Sequence, residues 1–255
     1  MELTPSQKAR LDIREGRHTG STRGLAMGYV QCNLVIIHRS LAFEFLLYCL
    51  RNGKACPIIE VTDPGNPEPK MTAPGADLRT DLPLYAVYRH GVREEDRRQI
   101  RELWNADSVA FLIGSGITFD QALERAGVPT TRDRWVVRTT VPTIPAGRFH
   151  GNLVVTMRWL TPAQAITATQ VSARFPFNHG APVHIGDPAA IGVDLAQPLF
   201  GPPVDQIPPG IVPVFWACGV TPQDAALAAK LDLMVTHAPA HSFVTDLLAD
   251  RFCIP

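Results

Sequence analysis

The hydrophobic positions of this chain gather in short runs rich in Val, Ile and Phe, separated by segments whose apolar residues recur at helical spacing. Runs at 29–37, 57–62, 84–88, 109–113, 135–141, 153–159, 212–217 and 233–236 read as strands. The first of these can equally be a buried helix, because a continuous apolar run has no diagnostic period. Helical patterns cover 41–51, where Leu41, Phe45 and Tyr48 share one face and Gly53 provides the stop, and the charged segment 93–104. Thr161-Pro-Ala-Gln164 opens a helix that reaches about Arg174, since a capping threonine, a first-turn proline and a glutamine three residues on coincide there. A closing amphipathic helix is expected from about Ser242.

Strands alternating with helices imply an α/β fold, with a mixed sheet and flanking helices. Between 131 and 190 the order changes to strand, strand, helix, which suggests a smaller inserted two-layer α+β subdomain. The main domain is then discontinuous, 1–130 and 191–255.

Two of the apolar runs end in the same way. Phe111-Leu-Ile-Gly-Ser-Gly-Ile-Thr118 lies on Val214-Phe-Trp-Ala-Cys-Gly-Val-Thr221, so that Ser115 matches Cys218, Gly116 matches Gly219 and Thr118 matches Thr221. Each unit predicts a strand, a sharp turn and a helix capped by its threonine, with Pro222 as the first helical residue of the second. A helix start beside a strand end offers free N–H groups to an anion, either a substrate carboxylate or a thiolate. Any α/β sheet can reuse such turns, but two that both carry a small nucleophile-capable residue point to a paired site.

Composition narrows the function classes. The 255 residues carry 24 basic and 24 acidic side chains, and no block of like charge marks a nucleic-acid or membrane surface. No apolar run reaches the roughly 18 residues of a membrane span, and no secretory leader is visible, so a soluble cytoplasmic protein is expected. Five cysteines without CxxC spacing predict reduced thiols. Self-association into a homo-oligomer is left open.

The candidate chemistry lies late in the chain. His179, His184, His237 and His241 are half of the eight histidines, and Asn178-His-Gly-Ala-Pro-Val-His-Ile-Gly-Asp187 sets two of them in a backbone stiffened by glycine and proline. Acid/base work suits imidazoles near neutral pH, and so does a hydrogen-bonded structural role. His237 and His241 are separated by Pro239 and match no metal-binding signature, so no metal is assigned. Earlier, Asp77, Arg79 and Asp81 alternate in Ala76-Asp-Leu-Arg-Thr-Asp-Leu-Pro83. Arg79 can hold a carboxylate, or pair structurally with its neighbouring aspartates. Arg158 is a second cation, and Cys218 a conceivable nucleophile.

Several stretches together resemble a known family. Gly28-Tyr-Val-Gln-Cys-Asn-Leu-Val35, Ala76 to Pro83, Phe111-Leu-Ile-Gly114, Pro145-Ala-Gly147, His179-Gly-Ala-Pro-Val-His-Ile-Gly186, Val212 to Gln223 and Thr236-His-Ala-Pro239 look like signatures of the "putative hydro-lyase" family. That family includes YcsI-type bacterial proteins and one domain of mitochondrial D-glutamate cyclase. The resemblance spans nearly the whole chain. It departs at Cys32, where alanine is expected, at Ser115-Gly116, where Cys-Ser is expected, and at Ala240, where glycine is expected. It implies a two-part α/β fold and a carbon–oxygen lyase; joined with the residues read above, the expectation is a reaction on a small carboxylate that needs no cofactor.

Together these readings predict loss of water from a small amino or hydroxy acid, of the kind that closes glutamate to 5-oxoproline. His179, His184 or His237 moves protons, and Asp77 or Asp81 orients one of them. Arg79, Arg158 and the turns at Ser115, Gly116, Cys218, Gly219 and Thr221 hold the carboxylate. Two alternatives use the same residues: an amidase with Cys218 or Ser115 as nucleophile, and a carboxylate sensor without catalysis.

Overall fold

The computed structural model describes residues 2–130 and 134–254. In chain order its elements are α1 (Pro5–Arg14), β1 (Tyr29–His38), α2 (Arg39–Arg51), β2 (Ile58–Val61), β3 (Tyr85–Arg89), β4 (Val92–Arg93), β5 (Ser108–Gly114) and α3 (Asp120–Arg125). The second half contains β6 (Trp135–Pro142), β7 (Asn152–Leu160), α4 (Pro162–Ala173), β8 (His184–Ile185), β9 (Val212–Ala217), α5 (Val220–Ala228), β10 (Met234–His237) and β11 (Phe243–Leu248). The α/β architecture with flanking helices is the expected one. It is built as two sheets, and every strand pairing among the described residues is antiparallel.

β1 is the centre of the first sheet, ordered β2-β5-β1-β10-β3-β4. Its near-continuous apolar run is that of a strand buried on both faces, with Leu34 and Ile36 in one core and Val35 and Ile37 in the other. β5 pairs with it from Cys32↔Gly114 to His38↔Ser108. On its other edge two short strands share the length: β10 takes Val35 and Ile36, and β11 takes the Tyr29 to Cys32 end. The second sheet runs β6-β7-β9-β8, so β9 and its Cys218 turn join the strands of the 131–190 segment. The expected boundary at 131 lies outside the described residues.

Two expected helices are absent. Segment 93–104 forms the edge strand β4, a loop whose Arg97 bridges to Tyr85, and a short 3-10 turn at Arg101–Leu103. Its charges pair with each other, Arg93 with Asp96 and Arg97 with Glu102, and its apolar residues, Ile100, Leu103 and Trp104, are confined to its last turn, too short a stripe to bury a whole helix. The segment from Ser242 becomes β11, because Phe243 and Val244 are fully buried beside β1 where β10 ends.

The duplicated units are alike down to their hydrogen bonds, though their threonines are not caps. α4 does start on the predicted Thr161–Gln164 capping box. α3 begins instead at Asp120 and α5 at Val220, and neither has a side-chain cap. Thr118 reaches across to one residue of β1, accepting from Gln31 N–H at 3.1 Å and donating to Gln31 O at 3.4 Å. Thr221 does the same to β7, accepting from Val154 N–H at 3.0 Å and donating to Val154 O at 3.1 Å. The Ser115 N–H donates to that same Gln31 carbonyl, and the Cys218 N–H to that same Val154 carbonyl. Each turn is thus pinned to the edge of the neighbouring strand at two points.

Gly114 shows how tightly the first turn is covered. A Cβ there would lie 1.7 Å from the Phe177 carbonyl oxygen, a backbone atom that cannot step aside. Gly114→Ala should therefore cost about 3 kcal/mol, the upper part of the overpacking range, and lower the melting temperature by about 10 °C in a circular-dichroism melt. An unchanged melting temperature would mean that the 176–178 turn is not seated on β5.

Candidate active site

The two pinned turns open on one cavity of about 210 Å³ between the sheets, lined among others by Ser115, Gly116, Cys218, Gly219, His179 and His237. Asn33 of β1 holds them together. Its Nδ2 donates to Gly114 O at 3.0 Å, and a Cβ on Gly219 would fall 1.9 Å from that same nitrogen. Asn178 ties the other side, donating to Ser115 O at 3.1 Å and Thr118 Oγ1 at 3.0 Å.

The two imidazoles on this cavity carry their protons on opposite nitrogens. His179 follows the short turn after α4 in a left-handed conformation, φ 76°. Its Nδ1 lies 3.1 Å from Lys54 O, and since a carbonyl only accepts, Nδ1 carries the hydrogen and Nε2 keeps a lone pair. His237 ends β10, and its Nδ1 accepts the Leu34 N–H at 3.1 Å. Gln223 of α5 turns its amide NH₂ to the same nitrogen, also at 3.1 Å, so the His237 hydrogen sits on Nε2. Burial pushes both imidazoles down to about 4, helped by the Lys54 charge at His179 and by His241 at His237. Both are neutral at physiological pH, one as a proton acceptor and the other as a donor.

The cationic wall comes from β7 and the entry to β6. Arg158 is buried, donates from Nη2 to Asp120 Oδ1 at 2.9 Å, and lies 5.4 Å from the Phe119 ring centre and 5.3 Å from that of Trp216. Its Nε and Nη1 have no hydrogen-bond partner among the described residues. Arg134 pairs with the other oxygen of Asp120. Two guanidiniums on one carboxylate leave an excess positive charge facing a largely apolar cavity, the arrangement that attracts an anion. Burial, reinforced by Arg134, lowers Arg158 to about 10, which leaves it protonated.

Other sequence candidates lie elsewhere. Arg79 folds back on Asp77, with Nε at 2.8 Å and Nη2 at 2.9 Å. Asp81 is buried and takes Arg14 at 2.7 and 2.6 Å, the Asp77 N–H and the Thr80 hydroxyl. These three order the proline-rich loop against α1 and do not line the cavity. His184 packs on the Phe215 ring and bonds Asp187 O at 2.7 Å, again off the cavity, while Thr221 is buried in its hold on β7. Cys218 does line it, but burial pushes its thiol up, so the site does not supply a thiolate. Ser115 Oγ meets the Ile117 N–H, and no imidazole bonds it among the described residues. Asn33, Asp120, Arg134 and Gln223 went unpredicted. Two polar residues inside an otherwise apolar run, Gln31 and Asn33, were the signal available for Asn33.

The rim includes Ala240 at φ 65°, held there because its carbonyl accepts from the Thr22 N–H at 2.9 Å and the Ser21 hydroxyl at 3.0 Å. Left-handed backbone strains any residue with a Cβ. Ala240→Gly should gain about 0.5–1 kcal/mol, because strain relief exceeds the added chain entropy, and raise the melting temperature by about 2 °C. A fall would show that the loop relaxes in solution.

No helix among the described residues is long and apolar enough to cross a membrane, and no three His, Cys, Asp or Glu side chains there are grouped to hold a metal ion. The D-glutamate cyclase family model matches residues 109–246. A protein named "Putative hydro-lyase" from Bacillus licheniformis is 51% identical over 98% of this chain and 97% of its own. One of that name from Geobacillus kaustophilus is 50% identical over 95% of this chain and 94% of its own. "Putative hydro-lyase YcsI" from Bacillus subtilis is 47% identical over 95% of this chain and 96% of its own.

Proposed function

This chain belongs to the D-glutamate cyclase family, with the proteins named hydro-lyases among its relatives, and from that premise we propose that it removes water from a small amino or hydroxy acid in the cavity between its sheets. The observation that carries the reading is the pair of neutral imidazoles, His179 and His237, with opposite nitrogens protonated on one cavity with Arg158. Dehydration needs a proton taken from one atom of the substrate and protons delivered to a departing oxygen. His179 Nε2 serves the first need and His237 Nε2–H the second. Arg158, backed by Arg134 and Asp120, holds a carboxylate.

Cyclisation of D-glutamate is the finer form of this proposal. There the ammonium gives up two protons, the nitrogen closes on the side-chain carboxyl carbon, and one carboxyl oxygen leaves with two protons as water. The nitrogen's protons leave towards His179, and those for the departing oxygen arrive from the His237 side. A volume of about 210 Å³, below the ~300–1,000 Å³ of drug-sized sites, suits a substrate of this size.

The test is to incubate the purified protein with D- and L-glutamate and with small hydroxy acids, and to follow water loss by mass spectrometry. A dehydrated product supports the reading. No product from any of them, with carboxylates still raising the melting temperature, would leave a binding protein in its place.

A further inference from the structure

Two carboxamides on the cavity wall have spent their NH₂ groups on the protein and kept their oxygens. Asn33 Nδ2 faces the Gly114 carbonyl, which can only accept, so Oδ1 is the end turned away from it. At Gln223 the assignment follows from a neighbour. The Leu34 N–H already donates to His237 Nδ1, so that nitrogen bears no hydrogen and only an NH₂ can approach it. Neither Asn33 Oδ1 nor Gln223 Oε1 has a hydrogen-bond partner among the described residues, although both residues are more than nine-tenths buried and both line the cavity. Neither oxygen is among the fully enclosed unpartnered atoms, so each keeps surface where a ligand N–H can reach it, and a ligand that covers it without supplying a donor is penalised.

We propose that Asn33 and Gln223 form an acceptor subsite that recognises an N–H-bearing group, an ammonium foremost, on the molecule bound in this cavity. The proposal rests on the reading of the cavity as a site for a small acid and deepens it. Arg158 and Arg134 face the carboxylate, and the two amide oxygens face the amine. The subsite adjoins His237, because Gln223 and the residue after Asn33 both bond its Nδ1. A ligand that keeps the carboxylate but replaces the amine by hydrogen leaves both acceptors empty.

The experiment uses acids too short to cyclise: each enantiomer of 2-aminobutyrate against butyrate, titrated into the intact protein and followed by calorimetry or NMR shifts. One enantiomer should bind about 10- to 100-fold more tightly than butyrate, the worth of a hydrogen bond to a charged group. Gln223→Met keeps the shape and removes the oxygen, and should cut that preference to less than half its value while butyrate binds as before. Equal binding of butyrate and both enantiomers, binding by none of the three, or an undiminished preference in a folded Gln223→Met protein overturns the subsite. Should that variant fail to fold, the comparison in the unaltered protein decides alone. A protein that prefers the amino acid but dehydrates nothing would keep the subsite and sink the reaction proposed above.

Discussion

His179→Asn should give a folded protein whose kcat on the dehydrated acid is lower by about 10³-fold, the middle of the range for a general acid or base. Asparagine is the informative replacement because it tolerates the left-handed backbone that His179 adopts at φ 76°, so loss of the imidazole is separated from loss of the turn. Its side-chain NH₂ can still reach towards Lys54 O, and Arg158 is untouched, so KM should change less than kcat. Steady-state kinetics beside a thermal melt check this. A variant that keeps more than about a tenth of the wild-type kcat would remove His179 from the proton path.

Acid should unfold this protein early. Both imidazoles are buried and held to about 4 in the fold, against an ordinary value near 6.5 in the unfolded chain. Between those values the unfolded chain binds up to two more protons than the folded one, so stability rises with pH across this window. It is complete above about pH 6.5 and is lost as pH falls towards 4, at up to about 1.4 kcal/mol per pH unit for each imidazole. Against a typical total of about 5–15 kcal/mol, that is enough to dominate acid unfolding. Carboxylates with lowered values, Asp77, which burial raises but Arg79 holds down, and Glu102, lowered by its backbone and Arg97, act only from the acid end of this range downward. Urea midpoints at pH 7, 6 and 5 should fall steadily, and His179→Asn should remove about one proton's share of the slope. A flat midpoint over that interval would mean that the imidazoles are solvated rather than buried.

Much of the framework was legible before any coordinates. The apolar runs became strands, Thr161 and Gln164 became a capping box, and the likeness of the 115 and 218 turns held at the level of single hydrogen bonds. The failures share a cause. The 93–104 segment and the C-terminal strand differ from the expected helices because helix and strand there depend on which neighbour is free, and β10 leaves the Tyr29–Cys32 end of β1 open for β11. Thr118 and Thr221 had the look of caps, yet each hydroxyl found a strand backbone 87 or 67 positions away. Asp81 looked available only because Arg14, 67 positions away, could not be seen to be near, whereas the pairing of Arg79 with Asp77 was one of the two readings the sequence left open.

Residue order by itself determined the α/β composition, the paired turns and the family, because these follow from local periodicity, turn chemistry and motifs read along the chain. Tertiary structure alone decided which groups can do chemistry. Lys54 O makes His179 an acceptor, Leu34 N–H makes His237 a donor, and Asp120 draws Arg158 and Arg134 together, across separations of 125, 203, 38 and 14 positions. Protonation and charge are properties of surroundings, and those surroundings exist only once the chain has folded.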